Sequence, residues 1–198
     1  MGTEFELKYA ATPALHRALL AAYPHLKPIT METAYYDDPG GNLSRLRWTL
    51  RRRLENGVSV CTLKTPGQGS RCGEWEVNAP SLQEALPALS ALGAPKELTA
   101  YASAGLTRIC AARFTRMAGY VNLPNATLEL ALDQGVLLGG GREEPLCEVE
   151  IELKEGSEEA VLHFAEALAK KYGMVPETRS KAQRAFALAK SKESGYGI

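Results

Sequence analysis

The chain has 198 residues, 45% of them hydrophobic, and its 23 Lys and Arg balance 23 Asp and Glu. That length suits one domain with a substantial core. A formal charge of zero gives no sign of a basic nucleic-acid or membrane-surface binder, and no apolar run approaches the roughly 20 residues of a membrane span.

The chain enters a charged strand at once, over residues 3–9, leaving no room for the apolar region of a signal peptide. Its four cysteines, Cys61, Cys72, Cys110 and Cys147, are scattered with no C-x-x-C pair. Together these features predict a cytoplasmic protein with reduced thiols. Thr12-Pro13 then opens a helix, Thr12 as N-cap and Pro13 as first helical residue. A strand is expected over 31–37, a turn at Pro39-Gly40-Gly41, and strands over 46–54 and 58–65 joined by the hairpin signal Asn56-Gly57. A Pro/Gly loop from Pro66 to Gly69 leads to a strand over 72–78.

Residues 81–107 read as short helices and loops, followed by strands at about 110–121 and 126–133. Gly139-Gly140-Gly141 reads as a turn into a strand over 146–154, since a phosphate loop would need G-x-x-x-x-G-K-[ST] opening a helix. Ser157 caps an amphipathic helix to 172, and a last helix spans about 180–190. About eight antiparallel strands and few helices suggest an α+β fold whose sheet curls strongly or closes.

Three stretches alternate charged and apolar residues at the two-residue period of a strand: Glu4 to Lys8, Leu50 to Leu54 with Thr62 to Lys64, and Glu148 to Leu153. A single solvated sheet face commonly carries such charges. Here, however, Glu148, Glu150 and Glu152 share one face with no interspersed base, and Arg51 and Arg53 share another. Arginine forks suit phosphate oxygens and carboxylates suit Mg²⁺ or Mn²⁺. The pattern therefore points to a polyanion held together with a divalent metal. His16, His25 and His163 fall on helices or a loop, away from these strands, which argues against a zinc site or a His-based triad. Trp48 and Trp75 fall in expected strands, where core or rim packing is the ordinary role.

The chain resembles the triphosphate tunnel metalloenzymes, the CYTH superfamily. The likeness begins with Glu4-x-Glu6-x-Lys8 and continues in family order through Tyr35-Tyr36-Asp37, Leu50-Arg51-x-Arg53 and Thr62-Leu63-Lys64. Glu74-x-Glu76, Phe114-x-Arg116, Leu128-Glu129-x-x-Leu132-Asp133-x-Gly135, Glu148-x-Glu150-x-Glu152 and Ser180-Lys181-x-x-Arg184 follow. It spans about residues 3–188 and is closest to the bacterial inorganic triphosphatase branch.

The resemblance implies a closed eight-stranded antiparallel β-barrel with a charged lumen and flanking helices, in one domain over 1–198. It implies Mg²⁺- or Mn²⁺-dependent hydrolysis of triphosphate to pyrophosphate and phosphate. Lys8, Arg51, Arg53, Lys64, Arg116, Lys181 and Arg184 would bind substrate; Glu4, Glu6, Asp133, Glu148, Glu150 and Glu152 would hold metal. Glu74, Glu76 and Glu129 would orient basic side chains, and Lys8 with Tyr35 would flank the attacking water. The alternatives are a class IV adenylate cyclase, a thiamine triphosphatase, or a non-catalytic polyphosphate-binding module. Neither nucleic acid nor membrane is expected as a partner.

One departure concerns the arginine that the family often carries two residues before Glu74-x-Glu76. Cys72 stands there, with Arg71 beside it, so Arg71 is expected to face away from the lumen. Relatives of this branch also often carry a helical CHAD domain after the barrel, so residues 189–198 read as a tail or the start of a missing C-terminal region.

Overall fold

The computed structural model describes residues 2–67 and 71–190. Eight strands form one antiparallel sheet: β1 (Gly2–Ala10), β2 (Lys27–Asp37), β3 (Thr49–Glu55), β4 (Val58–Pro66), β5 (Arg71–Asn78), β6 (Thr107–Leu123), β7 (Ala126–Gly139) and β8 (Arg142–Gly156). Their order is β5-β4-β3-β2-β6-β7-β8-β1, and β1 pairs back onto β5. The first half of β1 pairs with β5 and the second half with β8, which closes the sheet into a barrel. A two-residue strand, β9 (Val175–Pro176), adds to β1 outside the barrel. The α+β class and the closed eight-stranded barrel expected from the sequence are both present.

Local chemistry explains the elements. Thr12 accepts from the Leu15 amide at 3.2 Å and starts α1 (Pro13–Ala22). Ser81 caps α3 (Leu82–Ala91), its Oγ accepting from the Glu84 amide at 3.3 Å and donating to Glu84 Oε1 at 3.0 Å. Ser157 caps α5 (Glu158–Tyr172), which carries Glu158 and Glu159 in its first turn and Lys170 and Lys171 in its last, both matched to the helix dipole. Asn56 and Gly57 both adopt positive φ between paired Glu55 and Val58, the two-residue hairpin their sequence predicts.

The Gly139–Gly141 triplet is indeed a turn. Gly139 has a second reason to be glycine, since a Cβ there would meet the Ala185 carbonyl at 2.4 Å. That close approach seats α6 (Lys181–Lys190) on the barrel.

Some boundaries differ from expectation. Residues 46–48 are not strand. Asp37 accepts from the Leu43 and Ser44 amides, and Asp38 from those of Gly40 and Asn42. These buried carboxylates wind the chain into a short helix, α2 (Asn42–Arg45), so β3 begins at Thr49 and Trp48 lies before it. β2, β6, β7 and β8 run longer than expected. The expected 81–107 segment holds α3 and α4 (Glu97–Ser103). Residues 68 and 69 of the expected Pro66–Gly69 loop, residue 70, the tail from 191 and the Arg71 side chain lie outside what is described.

Apolar residues cover the outer barrel wall in two places. Phe5, Leu128, Leu130, Val149 and Ile151 pack with Leu19, Val161 and Ala165 from α1 and α5. Leu50, Leu63 and Trp75 pack with Leu43, Leu89 and Leu98 from α2, α3 and α4. A third cluster, Met31, Ala112, Phe114 and Leu137 with Ala182 and Ala185, joins α6 to the inner face. Putting the apolar half of each alternating strand outward leaves the charged half facing in. No helix among the described residues is long and apolar enough to cross a membrane.

Candidate active site in the tunnel

The inward faces enclose a cavity of about 800 Å³. Glu4, Glu6 and Lys8 of β1, Arg51 and Arg53 of β3, Lys64 of β4, Glu74 and Glu76 of β5, and Arg116 of β6 line it. So do Tyr35, Glu129, Glu150, Glu152 and Lys181. Three residues that sequence reasoning put in the site stay out of the lining: Asp133, Glu148 and Arg184. Arg52 points the other way, its Nε donating to Ser59 Oγ at 2.9 Å on the outer wall beside α3.

The carboxylates fall into two groups. Asp133, Glu148 and Glu150 offer oxygens within 4.8 Å of one another, a spacing that a cation can bridge. The cation in place is the Lys181 ammonium, 2.7 Å from Asp133 and 2.6 Å from Glu150, and also bonded to Glu148. Arg116 closes the group with a bidentate fork on Asp133, 2.8 Å on each arm, and a bond to Glu150. Arg184 caps it from behind, bonding Glu148 at 3.2 Å, the Pro145 carbonyl at 3.2 Å and Glu144. Despite its burial, Glu150 is held well below the usual carboxylate range by Lys181, Arg116 and Lys8. Burial pushes Glu148 up to about 7 against the pull of Lys181, with Glu150 adding to the push. This group is already neutralised by protein cations.

The second group is not. Glu6 and Glu152 face each other across β1 and β8, and Glu129 faces Glu152 across β7 and β8. Like charges directly opposed on a sheet repel. Burial pushes Glu152 up to about 7 in spite of its ion pair with Lys154 at 2.7 Å, and Glu4 and Glu6 add to the push. Glu6 is raised as well, by burial and by Glu150, although Lys8 lies 3.2 Å away. Glu4 sits beside them and behaves differently. Burial is outweighed by Lys64, Cys72 and Arg51, which hold its carboxyl down at about 2. Glu6 and Glu152 are thus oxygen donors short of positive charge, of the kind a hard divalent cation takes, with Glu4 beside them already balanced by Lys64 and Arg51.

Opposite them the shortage is of negative charge. Arg51 reaches Glu74 only at 3.8 Å, and Arg53 reaches Glu76 only at 3.9 Å, although it also pairs with Glu55. The Nε atoms of both arginines are buried and find no acceptor among the described residues. Burial, Arg51 and Arg116 together lower the Arg53 pKa. Buried donors without acceptors are uncommon in proteins, and two of them on one charged tunnel wall suit an anionic ligand.

Residues 2–186 match the CYTH domain. The chain belongs to the CYTH family. An inorganic triphosphatase from Haemophilus influenzae is 30% identical over 192 residues, which cover 93% of this chain and 54% of that protein. The chain therefore spans about half the length of that curated relative. Among solved structures, a candidate adenylate cyclase from Bacillus halodurans superposes with a TM-score of 0.63 at 20% identity, covering 93% of this chain and 98% of its own. A candidate adenylyl cyclase from Hippeastrum, described as having a dominant triphosphatase activity, gives 0.62 at 19% identity, covering 94% and 95%. At such identities these structures speak for the fold.

In this CYTH barrel the Arg position discussed above is filled by Cys72, which lines the tunnel 3.0 Å from Glu4. Burial and Glu4 push its thiol up to about 12. Two tunnel residues absent from the sequence reading, Glu55 and Lys154, simply extend the alternation by one step beyond Arg53 and Glu152. Trp48 and Arg47 follow α2 and carry no periodic signal, yet both line the cavity. His16, expected away from the charged strands, is buried against one of them, its Nε2 meeting the Glu148 carbonyl at 3.1 Å.

The Glu152 carboxyl, pushed by burial up to about 7, lies above the ordinary carboxylate value, so the folded state holds its proton more tightly. Stability is then lost as pH rises from about 4.5 to about 7. In chelator, Glu152→Gln is expected to be more stable than wild type at pH 8, by about 1–3 kcal/mol, and level with it near pH 4.5. Urea titrations at both pH values check this, and an equal gain at both would contradict it.

Proposed function

We propose that this barrel hydrolyses inorganic triphosphate to pyrophosphate and phosphate with the help of Mg²⁺ or Mn²⁺. The observation carrying the proposal is the pairing, within one tunnel, of orphaned arginine donors with an acidic row short of cations. A chain of phosphates with its metal supplies both deficits. The 30% identity to an inorganic triphosphatase over 93% of this chain supports the same reading.

In this reading Arg51, Arg53, Lys64 and Arg116 take the phosphate oxygens, and the arginine forks hold the chain in line. Glu4, Glu6 and Glu152 would hold the metal, which when bound polarises the phosphate oxygens and offsets developing charge. Asp133, Glu148 and Glu150 keep Arg116 and Lys181 fixed, and Arg184 acts through Glu148, so Arg184 supports the site without touching substrate. Glu74 and Glu76 orient Arg51 and Arg53; Glu129, 3.9 Å from Arg116, does the same there.

Lys8 and Tyr35 are assigned as donors beside the attacking water. The Lys8 pKa is raised because Glu6 and Glu150 outweigh burial, and burial raises that of Tyr35, so both keep their protons at neutral pH. Water adds to a terminal phosphorus, the bridging P–O bond breaks, and pyrophosphate leaves. Four free cysteines accord with a cytoplasmic setting.

The test is product identification. Triphosphate, ATP and thiamine triphosphate are incubated separately with the protein and Mg²⁺ or Mn²⁺. Phosphate and pyrophosphate in equal amounts from triphosphate, at the highest kcat/KM of the three, is the expected result. Cyclic AMP with pyrophosphate from ATP would instead make the barrel a cyclase.

A further inference from the structure

The basic side chains deep in the tunnel each have a carboxylate partner, as with Lys8 and Glu6 at 3.2 Å, or Lys181 and Asp133 at 2.7 Å. Two other cations line the same cavity differently. Arg47 and Lys190 are exposed and have no carboxylate within ion-pair distance among the described residues.

Topology brings the two to one end of the barrel. In an antiparallel barrel the start of β3 and the end of β7 share an end, and Arg47 stands just before Thr49, where β3 begins. The last turn of α6 packs on the β7–β8 hairpin at that end: Arg142 Nη2 donates to the Leu188 carbonyl at 2.5 Å. Lys190 follows directly. Glu129, near the start of β7, and Glu152, near the end of β8, lie toward the opposite end.

Arg47 is also held deliberately. Its φ of 59° is left-handed, which a non-glycine residue adopts only when its surroundings impose it. Its amide donates to the Ser44 carbonyl at 3.0 Å, and the Trp48 amide donates to the Leu43 carbonyl at 2.8 Å. Below them, Asp37 and Asp38 are buried and spent on the backbone of the same loop. A loop held by these bonds presents, at a tunnel mouth, a guanidinium with no carboxylate partner among the described residues, placed to meet an anion arriving from solvent.

The geometry points to Arg47 and Lys190 as a mouth subsite for an anionic group on the far end of the substrate. Linear phosphate chains are thereby selected over triphosphates capped with an organic group. This rests on the triphosphatase reading and adds the residues that set its preference. Cations that hold the inner phosphates cannot make that distinction, because a cap changes only the outermost phosphate, where an ester oxygen replaces one charged terminal oxygen.

The experiment compares wild type with the double variant R47Q/K190Q, which removes both charges and leaves side chains of similar length. Calorimetric binding of triphosphate, tetraphosphate and ATP is measured in chelator, with turnover of each measured in parallel with Mg²⁺. The double variant should bind triphosphate and tetraphosphate about three- to tenfold more weakly at low salt and hold ATP within twofold, with the difference shrinking at high salt. Unchanged binding of the inorganic chains, an equal loss for ATP, or a wild type that binds ATP more tightly than triphosphate would overturn the subsite. A wild type that binds all three without hydrolysing any would overturn the triphosphatase reading, while the binding ratios would still decide the subsite.

Discussion

Arg51→Ala and Arg53→Ala are each expected to lower kcat/KM for triphosphate by about 30- to 900-fold, whereas Arg52→Ala should stay within a few-fold. The difference is one of strand face. Arg51 pairs with Tyr35 and Arg53 with Thr33 in register, all of them lining the tunnel, while the Arg52 guanidinium lies on the outer wall against Ser59. The large effect corresponds to about 2–4 kcal/mol of transition-state stabilisation, the usual scale for a preorganised donor aimed at developing charge. The small one reflects how little an isolated surface charge contributes. All three enzymes should be compared in one buffer after checking that each is folded. An inactive Arg52→Ala beside an active Arg51→Ala would remove the arginine row from the site.

Asp133→Ala should cost on the order of 3–5 kcal/mol of stability, the range for breaking a buried ion pair from one side. Asp133 has no exposed surface, and its two oxygens hold Arg116 by a fork and Lys181 at 2.7 Å. Removing it takes the bidentate fork from Arg116 and one of three carboxylates from Lys181, leaving Glu150 as the bonded partner of both and Glu148 that of Lys181. Denaturant unfolding measures the loss. The metal concentration needed for half-maximal turnover, read from whatever activity remains, should stay close to wild type, because the role is to fix Arg116 and Lys181. A variant of wild-type stability that needed far more metal would return Asp133 to the ligand set.

A sheet that curls or closes is legible in the strict two-residue alternation of its strands, which dictates which face is buried, and the closed eight-stranded barrel in the family resemblance. Glu6 and Lys8 follow from alternation, and Arg51 and Arg53 from alternation together with the family pattern and the partner strand ending at Lys64. The helix starts at Thr12 and Ser157 and the Asn56-Gly57 hairpin were legible for equally local reasons. What escaped was non-local. The α2 turn depends on Asp37 and Asp38 reaching forward to backbone amides, so 46–48 looked like an extension of β3. Period-two reasoning puts Asp133 and Glu148 on the inner side, yet it cannot tell that α6, arriving from far along the chain, fills the space between them with Lys181. His16 escaped for the same reason, since its partner is the backbone of Glu148.

Triphosphate hydrolysis by a site whose acidic row needs a divalent cation, as proposed, should depend on metal from start to finish. Phosphate release from triphosphate should be followed with purified protein in excess EDTA, and again after Mg²⁺ or Mn²⁺ is added back. No release in chelator and full recovery on restoring the metal is the predicted result. Undiminished release in chelator, or none under either condition, would contradict it.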